Sequence, residues 1–160
     1  MSQLNWTEKT SKATQMDWVR LAAFIDGEGS IVISHYEGKG ASDSLSIQIA
    51  NTDPRLPEWC HASFGGYLTK CRNRKWRPLL AWHARGELAA FLLRECLPFL
   101  LLKKEQAEIA LTFQTTKKRR GNWGGTRFPL SQDVLQEREQ LRIELKRLKR
   151  VTMVDLPIIQ

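Results

Sequence analysis

The chain is short of apolar runs, of paired cysteines and of clustered histidines. No apolar stretch approaches the roughly 18 residues of a membrane-spanning helix, so no span is predicted. Met1 to Thr14 is polar and lacks the apolar core of a secretory signal. Cys60, Cys71 and Cys96 form no C-x-x-C pair, which predicts reduced, partly buried thiols in an intracellular setting. His35, His61 and His83 are scattered, and a zinc site is not expected. No internal repeat is visible as sequence identity.

Positive charge is abundant. There are 25 Lys+Arg against 17 Asp+Glu, a formal net charge of +8, with a pI near 9.7. That balance points to a polyanion or an anionic membrane surface and says nothing about fold. A membrane-surface protein would need a strongly amphipathic aromatic helix, and none is present. The length of 160 residues and the 42% hydrophobic content suit one domain with a core.

The most informative stretch is Leu21-Ala22-Ala23-Phe24-Ile25-Asp26-Gly27-Glu28-Gly29. Trp18, Leu21, Ala22 and Ile25 recur at helical spacing. Asp17 is placed to cap this helix, with Met16 stapling against Leu21. Val19, Ala22, Ala23 and Asp26 form a thin neighbouring face that would let a second helix approach closely. Gly27 and Gly29 end the helix around Glu28. A carboxylate at a helix C-terminus opposes the dipole, and a divalent cation would offset it. The alternative is an exposed acidic turn before a strand.

Elsewhere the pattern predicts a polar leader over 1–15, in which Trp6 packs onto the domain. Strands follow at Ser30–Glu37 and Ser44–Thr52, joined by a Gly-rich turn. A helix begins at Asp53-Pro54 and runs to about Ser63. A second hairpin spans Tyr67–Arg74 and Trp76–Ala84, and an apolar helix spans Gly86–Leu97. After Pro98 a helix resumes from Leu100 to about Thr116. A basic connector covers 117–130. The last helix, Ser131–Arg150, lies in a tail unit of 131–160 and carries an apolar stripe of Val134, Leu141, Leu145 and Leu148. The core is therefore 16–116, an α+β order with an antiparallel sheet.

One sheet face reads small and polar, as suits a duplex groove. Ser34, Tyr36, Ser44, Ser46, Gln48 and Thr69 are of the kind that reads base edges. Arg72, Arg74, Lys75 and Arg77 at the second hairpin tip would hold phosphates. An ordinary solvated sheet face is the alternative. The basic residues of the last helix read either as a solvated face or as a phosphate-contacting arm.

Residues 21–29 resemble the signature of the LAGLIDADG homing endonucleases. Leu21, Ala22, Ile25, Asp26 and Gly29 match. Ala23 stands for Gly, Phe24 for Leu and Glu28 for Asp, and the D-G-E-G ending is a familiar variant. Ser46–Asn51 resembles the family's second strand, and Leu97–Lys103 resembles its P-F-L-x-L-K stretch. The resemblance spans Asp17 to about Thr116, with the motif present once.

It implies an αββαββα domain with a saddle-like four-stranded antiparallel sheet plus C-terminal helices. It also implies a homodimer packed on the motif helices through Leu21, Ala22, Ala23 and Asp26. Glu28 would be the metal ligand, helped by the Gly27 carbonyl. Asn51 would order the active-site water, and Lys103 and Arg55 would be the active-site cations. The implied cofactor is Mg2+, with Mn2+ or Ca2+ able to substitute for binding. The implied activity is cleavage of both strands of a long pseudo-palindromic double-stranded DNA site, leaving short 3′ overhangs. The missing splicing blocks suggest an intron-encoded, free-standing form in a prokaryotic cytoplasm or nucleoid, or inside an organelle. The alternative on the same fold is a non-cleaving RNA maturase acting on host intron RNA, or a DNA-binding module. The joint presence of Glu28, Asn51 and Lys103 favours cleavage.

Overall fold

The computed structural model describes residues 4–36, 42–71, 78–118 and 131–150. In sequence order these form helices α1 (Leu4–Ser11) and α2 (Gln15–Glu28), then strands β1 (Gly29–Tyr36) and β2 (Ser42–Asn51). Helix α3 (Arg55–Phe64), strands β3 (Tyr67–Cys71) and β4 (Leu79–Arg85), and helix α4 (Glu87–Cys96) follow. A 3-10 turn (Leu97–Phe99) leads to α5 (Lys104–Lys118) and then α6 (Gln132–Leu148). The antiparallel sheet has the order β1-β2-β4-β3, so the two hairpins join through β2 and β4. This is the α+β arrangement expected from the sequence.

Alternation sorts the sheet's faces, because neighbouring side chains on a strand point to opposite sides. Ile31, Ile33, Leu45, Ile47, Ile49, Trp82 and Ala84 face the helices and are buried. Register places Ser30 opposite Gln48, Gln48 opposite His83, and His83 opposite Tyr67, all on the other face. The described helices cover one side only, with Leu21, Ile25, Phe64, Leu92, Leu93 and Phe113 completing the core. Each large apolar group buried in this way contributes about 1.5–3 kcal/mol relative to exposure.

Several local expectations are corrected. A helix, α1, occupies the stretch read as a polar leader, while Trp6 packs onto the domain as expected, its ring tilted against Phe91 with centroids 5.3 Å apart. The α2 N-cap is Thr14, not Asp17: Thr14 and Asp17 form a reciprocal capping box. Met16 therefore lies inside the first turn and is 58% exposed, so it does not staple to Leu21. Helix α3 starts at Arg55, with Asp53 Oδ1 accepting from the Arg55 N–H. Helix α5 starts at Lys104 rather than Leu100, because Leu101 and Lys103 give their N–H groups to Asp26. Strand β4 spans Leu79–Arg85, and the residues read before it, Arg72, Arg74, Lys75, Trp76 and Arg77, lie outside the described residues. Cys60 and Cys96 are free and buried, and burial pushes both thiols up to about 12.

Candidate functional site

The candidate site is built where α2 runs directly into β1. Gly29 caps the helix, its N–H reaching the Ile25 carbonyl. A Cβ at Gly29 would lie 2.6 Å from Ile25 Cα, so this abrupt helix-to-strand turn requires glycine. A Cβ at Gly27 would meet nothing within 4 Å. Packing within the protomer therefore places no demand on that position.

The two carboxylates of the turn have separate fates. Asp26 Oδ2 accepts from the Leu101 N–H at 2.7 Å, and Oδ1 from the Lys103 N–H at 2.9 Å. It clamps the segment after the 3-10 turn onto the end of α2. Glu28, the last residue of α2, is exposed and has no hydrogen bond or ion pair among the described residues. Lys103 folds its ammonium back onto the same helix end. Nζ donates to the carbonyls of Ile25 at 2.7 Å, Asp26 at 2.7 Å and Gly29 at 2.8 Å. The lysine thus closes the C-terminus of the helix, with a cation at the negative end of its dipole. Burial pulls the Lys103 pKa down, and Asp26 and Glu28 act against that shift.

The other expected cation and the expected amide are engaged elsewhere. Arg55 is 87% exposed at its side chain and bonds Asp53 through Nε at 3.0 Å. This pairing holds the Asp53 carboxyl down at about 2. Asn51 is two residues beyond Ile49, the partner of Gly29, on the helix-facing side of β2. Its Oδ1 accepts from the Asp53 N–H at 2.9 Å, building the turn into α3.

The exposed sheet face carries Ser30, Ser34, Ser44, Ser46, Gln48 and Thr69 together, as register requires. Tyr36 ends β1, and its side chain lies outside the described residues. Sequence reasoning missed a further group on this face. Thr69 Oγ1 lies 2.8 Å from His83 Nε2, Tyr67 stacks on His83 at 4.9 Å, and the Arg85 guanidinium sits 5.2 Å from the Tyr67 ring centre. Burial, then the nearby Arg85 charge, pull the His83 pKa below its ordinary value. The period-2 parity of His83 and Arg85 with Gln48 was the signal for this group, available once the β2–β4 pairing is known.

Of the residues assigned to an interface, Leu21 and Ala22 are corrected: both are fully buried within the protomer. The accessible stripe of α2 is Met16, Val19, Ala23 and Gly27, spaced three and four apart. Leu101 and Leu102, beside the Asp26 clamp, are 88% and 78% exposed.

The donor chemistry can be tested against a hard cation. Glu28 offers an unpaired carboxylate, and the Gly27 carbonyl is not among those taken by Lys103. Oxygen donors of this kind fit Mg2+ or Ca2+. Among the described residues, however, no three His, Cys, Asp or Glu side chains gather to form a metal site. No described helix is long and apolar enough to cross a membrane.

No family model matches the chain. No curated protein matches it either. Solved structures do match. The homing endonuclease I-CvuI, bound to a DNA target in the presence of Mg with the DNA not cleaved, has a TM-score of 0.67 at 18% identity, covering 87% of this chain and 85% of that one. The archaeal intron-encoded homing endonuclease I-Vdi141I complexed with DNA has a TM-score of 0.67 at 14% identity, covering 83% and 84%. The LAGLIDADG homing endonuclease I-GzeII with its DNA target has a TM-score of 0.62 at 19% identity, covering 78% of this chain and 43% of that one. The protein has the LAGLIDADG homing endonuclease fold, as the sequence signature anticipated.

Proposed function

We propose that this protein is a site-specific DNA endonuclease that works as a homodimer with a divalent metal. One observation carries the reading: Glu28 is left free and exposed at the end of α2, while the neighbouring Asp26 is consumed by structural bonds. The thin stripe through Ala23 and Gly27 lies on the same helix and is suited to a second copy. Dimerisation through that stripe would bring two Glu28 carboxylates towards one another and answer the shortage of ligands in one protomer.

In this reading the polar sheet face lies in the major groove. Gln48 reads an adenine edge, and serines with Thr69 make shorter contacts. Basic residues neutralise phosphates. Glu28 with the Gly27 carbonyl would hold the metal, which would supply charge neutralisation at the scissile phosphate. In the hydrolysis a water oxygen bonds to phosphorus, the P–O3′ bond breaks, and the leaving 3′ oxygen takes up a proton. The Asp26 clamp and the Lys103 cap fix the helix end from which Glu28 projects. Mg2+ is the proposed metal, and an intron-encoded origin belongs to the same reading.

The deciding experiment incubates the protein with a pool of long random duplexes and Mg2+ and sequences the cut ends. A defined pseudo-palindromic site with staggered ends is expected. Binding without any Mg2+-dependent cut would instead favour a non-cleaving maturase or DNA-binding role.

A further inference from the structure

Within the nuclease reading, the polar sheet face carries a guanidinium that the fold leaves unspent. Arg85 is exposed, and among the described residues it makes no hydrogen bond or ion pair. Arg55, Arg138, Arg142 and Arg147, by contrast, each pair with an acid. Arg85 is nonetheless held in place. Its guanidinium lies 5.2 Å from the centre of the Tyr67 ring. Tyr67 in turn stacks on His83, with ring centres 4.9 Å apart and planes 11° from parallel. His83 Nε2 lies 2.8 Å from Thr69 Oγ1, which fixes the rotation of the imidazole. Thr69, His83, Tyr67 and Arg85 therefore form one continuous rail. Burial and the Arg85 charge both favour the neutral imidazole, so the rail holds one positive charge, not two. A cation on an aromatic face is attracted to it. An arginine restrained in this way has less freedom to lose when it binds.

The place of Arg85 in the sheet says what it meets. β4 is an inner strand, flanked by β2 and β3. Arg85 pairs with Ser46 and shares the parity of His83, so it stands on the face turned away from the helices. Gln48 pairs with His83, which makes Gln48 and Arg85 diagonal neighbours about 7–8 Å apart. A guanidinium has five N–H donors in a plane and no acceptor. On the major-groove edge, guanine offers two acceptors, O6 and N7. Adenine and cytosine present an amino donor there, and thymine a single acceptor beside a methyl group.

We propose that Arg85 is a specificity-determining residue that reads a guanine in each half of the DNA site, and that Tyr67 and His83 are positioning residues that hold its fork. Each base adds about 3.4 Å along a strand, so this guanine lies about two base steps from the adenine read by Gln48.

The test is competition binding in Ca2+ by the full-length protein. The probes are the duplex recovered from the random pool and duplexes with each base pair replaced in turn. Replacing this guanine should weaken wild-type binding about 5- to 150-fold, the range of one bidentate base contact. Arg85→Gln should erase that preference and move it to adenine at the same position, because an amide matches the adenine edge. Arg85→Lys should still prefer guanine, but by less, since an ammonium has no planar fork. Tyr67→Leu and His83→Leu should each cut the guanine preference about two- to tenfold, the scale of restraining one long side chain. The preference at the Gln48 adenine and the salt slope should not move in these two variants. A residue that served stability alone would change every position together.

If Arg85→Gln weakens all duplexes alike and lowers the log-log salt slope by about one, Arg85 contacts a phosphate and the proposal is overturned. Recovered sites without a fixed guanine overturn it as well. Either result leaves the nuclease reading intact. A wild-type protein that binds a defined site without Mg2+-dependent cutting sinks the nuclease reading alone, and the same base preferences still decide the role of Arg85. A protein that binds no duplex overturns both.

Discussion

Asp26 and Glu28 are two residues apart on one helix end, yet they do opposite work. Asp26 spends both oxygens on backbone N–H groups from a segment about 75 residues later in the sequence, and so becomes part of the scaffold. Glu28 spends neither oxygen within the protomer among the described residues. The difference follows from helical geometry. Residues two apart on a helix point to different sides. One side of α2 meets the segment after the 3-10 turn, and the other is open. A carboxylate beside a helix C-terminus is unfavourable unless something compensates it. Asp26 has its compensation inside the fold, with Lys103 capping the same helix end, whereas Glu28 is left exposed to solvent.

The sharpest way to break this contrast is Glu28→Gln. It keeps shape and removes charge, so Mg2+-dependent cleavage should fall by at least about two orders of magnitude. Tm should stay where it is. Duplex binding should survive, with a log-log salt slope near −7 if each half of a dimer contacts about four phosphates. Normal Mg2+-dependent cutting by this variant would place the metal elsewhere.

Asp26→Ala should do the converse. Losing a carboxylate that accepts two backbone N–H groups should cost about 2–3 kcal/mol. Thermal unfolding should then occur about 5–10 °C lower. An unchanged Tm would mean that the clamp contributes nothing.

The two sides of α2 give a third comparison. Gly27→Leu adds bulk on the open side, so sedimentation should show a dimer weakened at least about tenfold, with little change in the Tm of the monomer. Ala22→Leu adds the same kind of bulk on the buried side and should destabilise the protomer itself. A Gly27→Leu protein that remains fully dimeric would exclude this stripe as the interface.

The smallest effect is expected at Asp53, an acid held by a surface partner. Its carboxyl sits near 2 in the fold, below the ordinary 3.8, because Arg55 bonds it. A depressed folded pKa contributes stability that is present above pH 3.8 and lost as pH falls towards 2. Asp53→Asn should therefore flatten the acid limb of stability in that window and change little at neutral pH. An unaltered acid limb would show that the pair is inert, as many exposed pairs are.

Much of the fold was legible because it depends on local period and residue type. The alternation of Ile31, Ile33, Leu45, Ile47 and Ile49 specified the first hairpin and its buried face. The helical spacing of Leu21 and Ile25, followed by Gly27 and Gly29, specified the helix and its abrupt end. Boundaries moved where a remote group intervened, as when Asp26 took the N–H groups that would have started α5 earlier. Helix α1 was missed because its polar residues show no apolar period, and its hold on the domain comes from Trp6 against Phe91.

The site divides along the same line. That residues 21–29 form an acidic Gly turn between helix and strand was determined by the sequence. Which acid is free, which side of α2 is open, and whether a lysine's donors are spent were decided only by tertiary contacts. Lys103 meets Ile25, Asp26 and Gly29 across separations of 78, 77 and 74 residues, and Lys149 meets Ser30 across 119. No local pattern encodes such meetings. They arise because burying the apolar faces of α2, α5 and α6 together fixes where their ends converge, and the polar atoms at those ends must then satisfy one another.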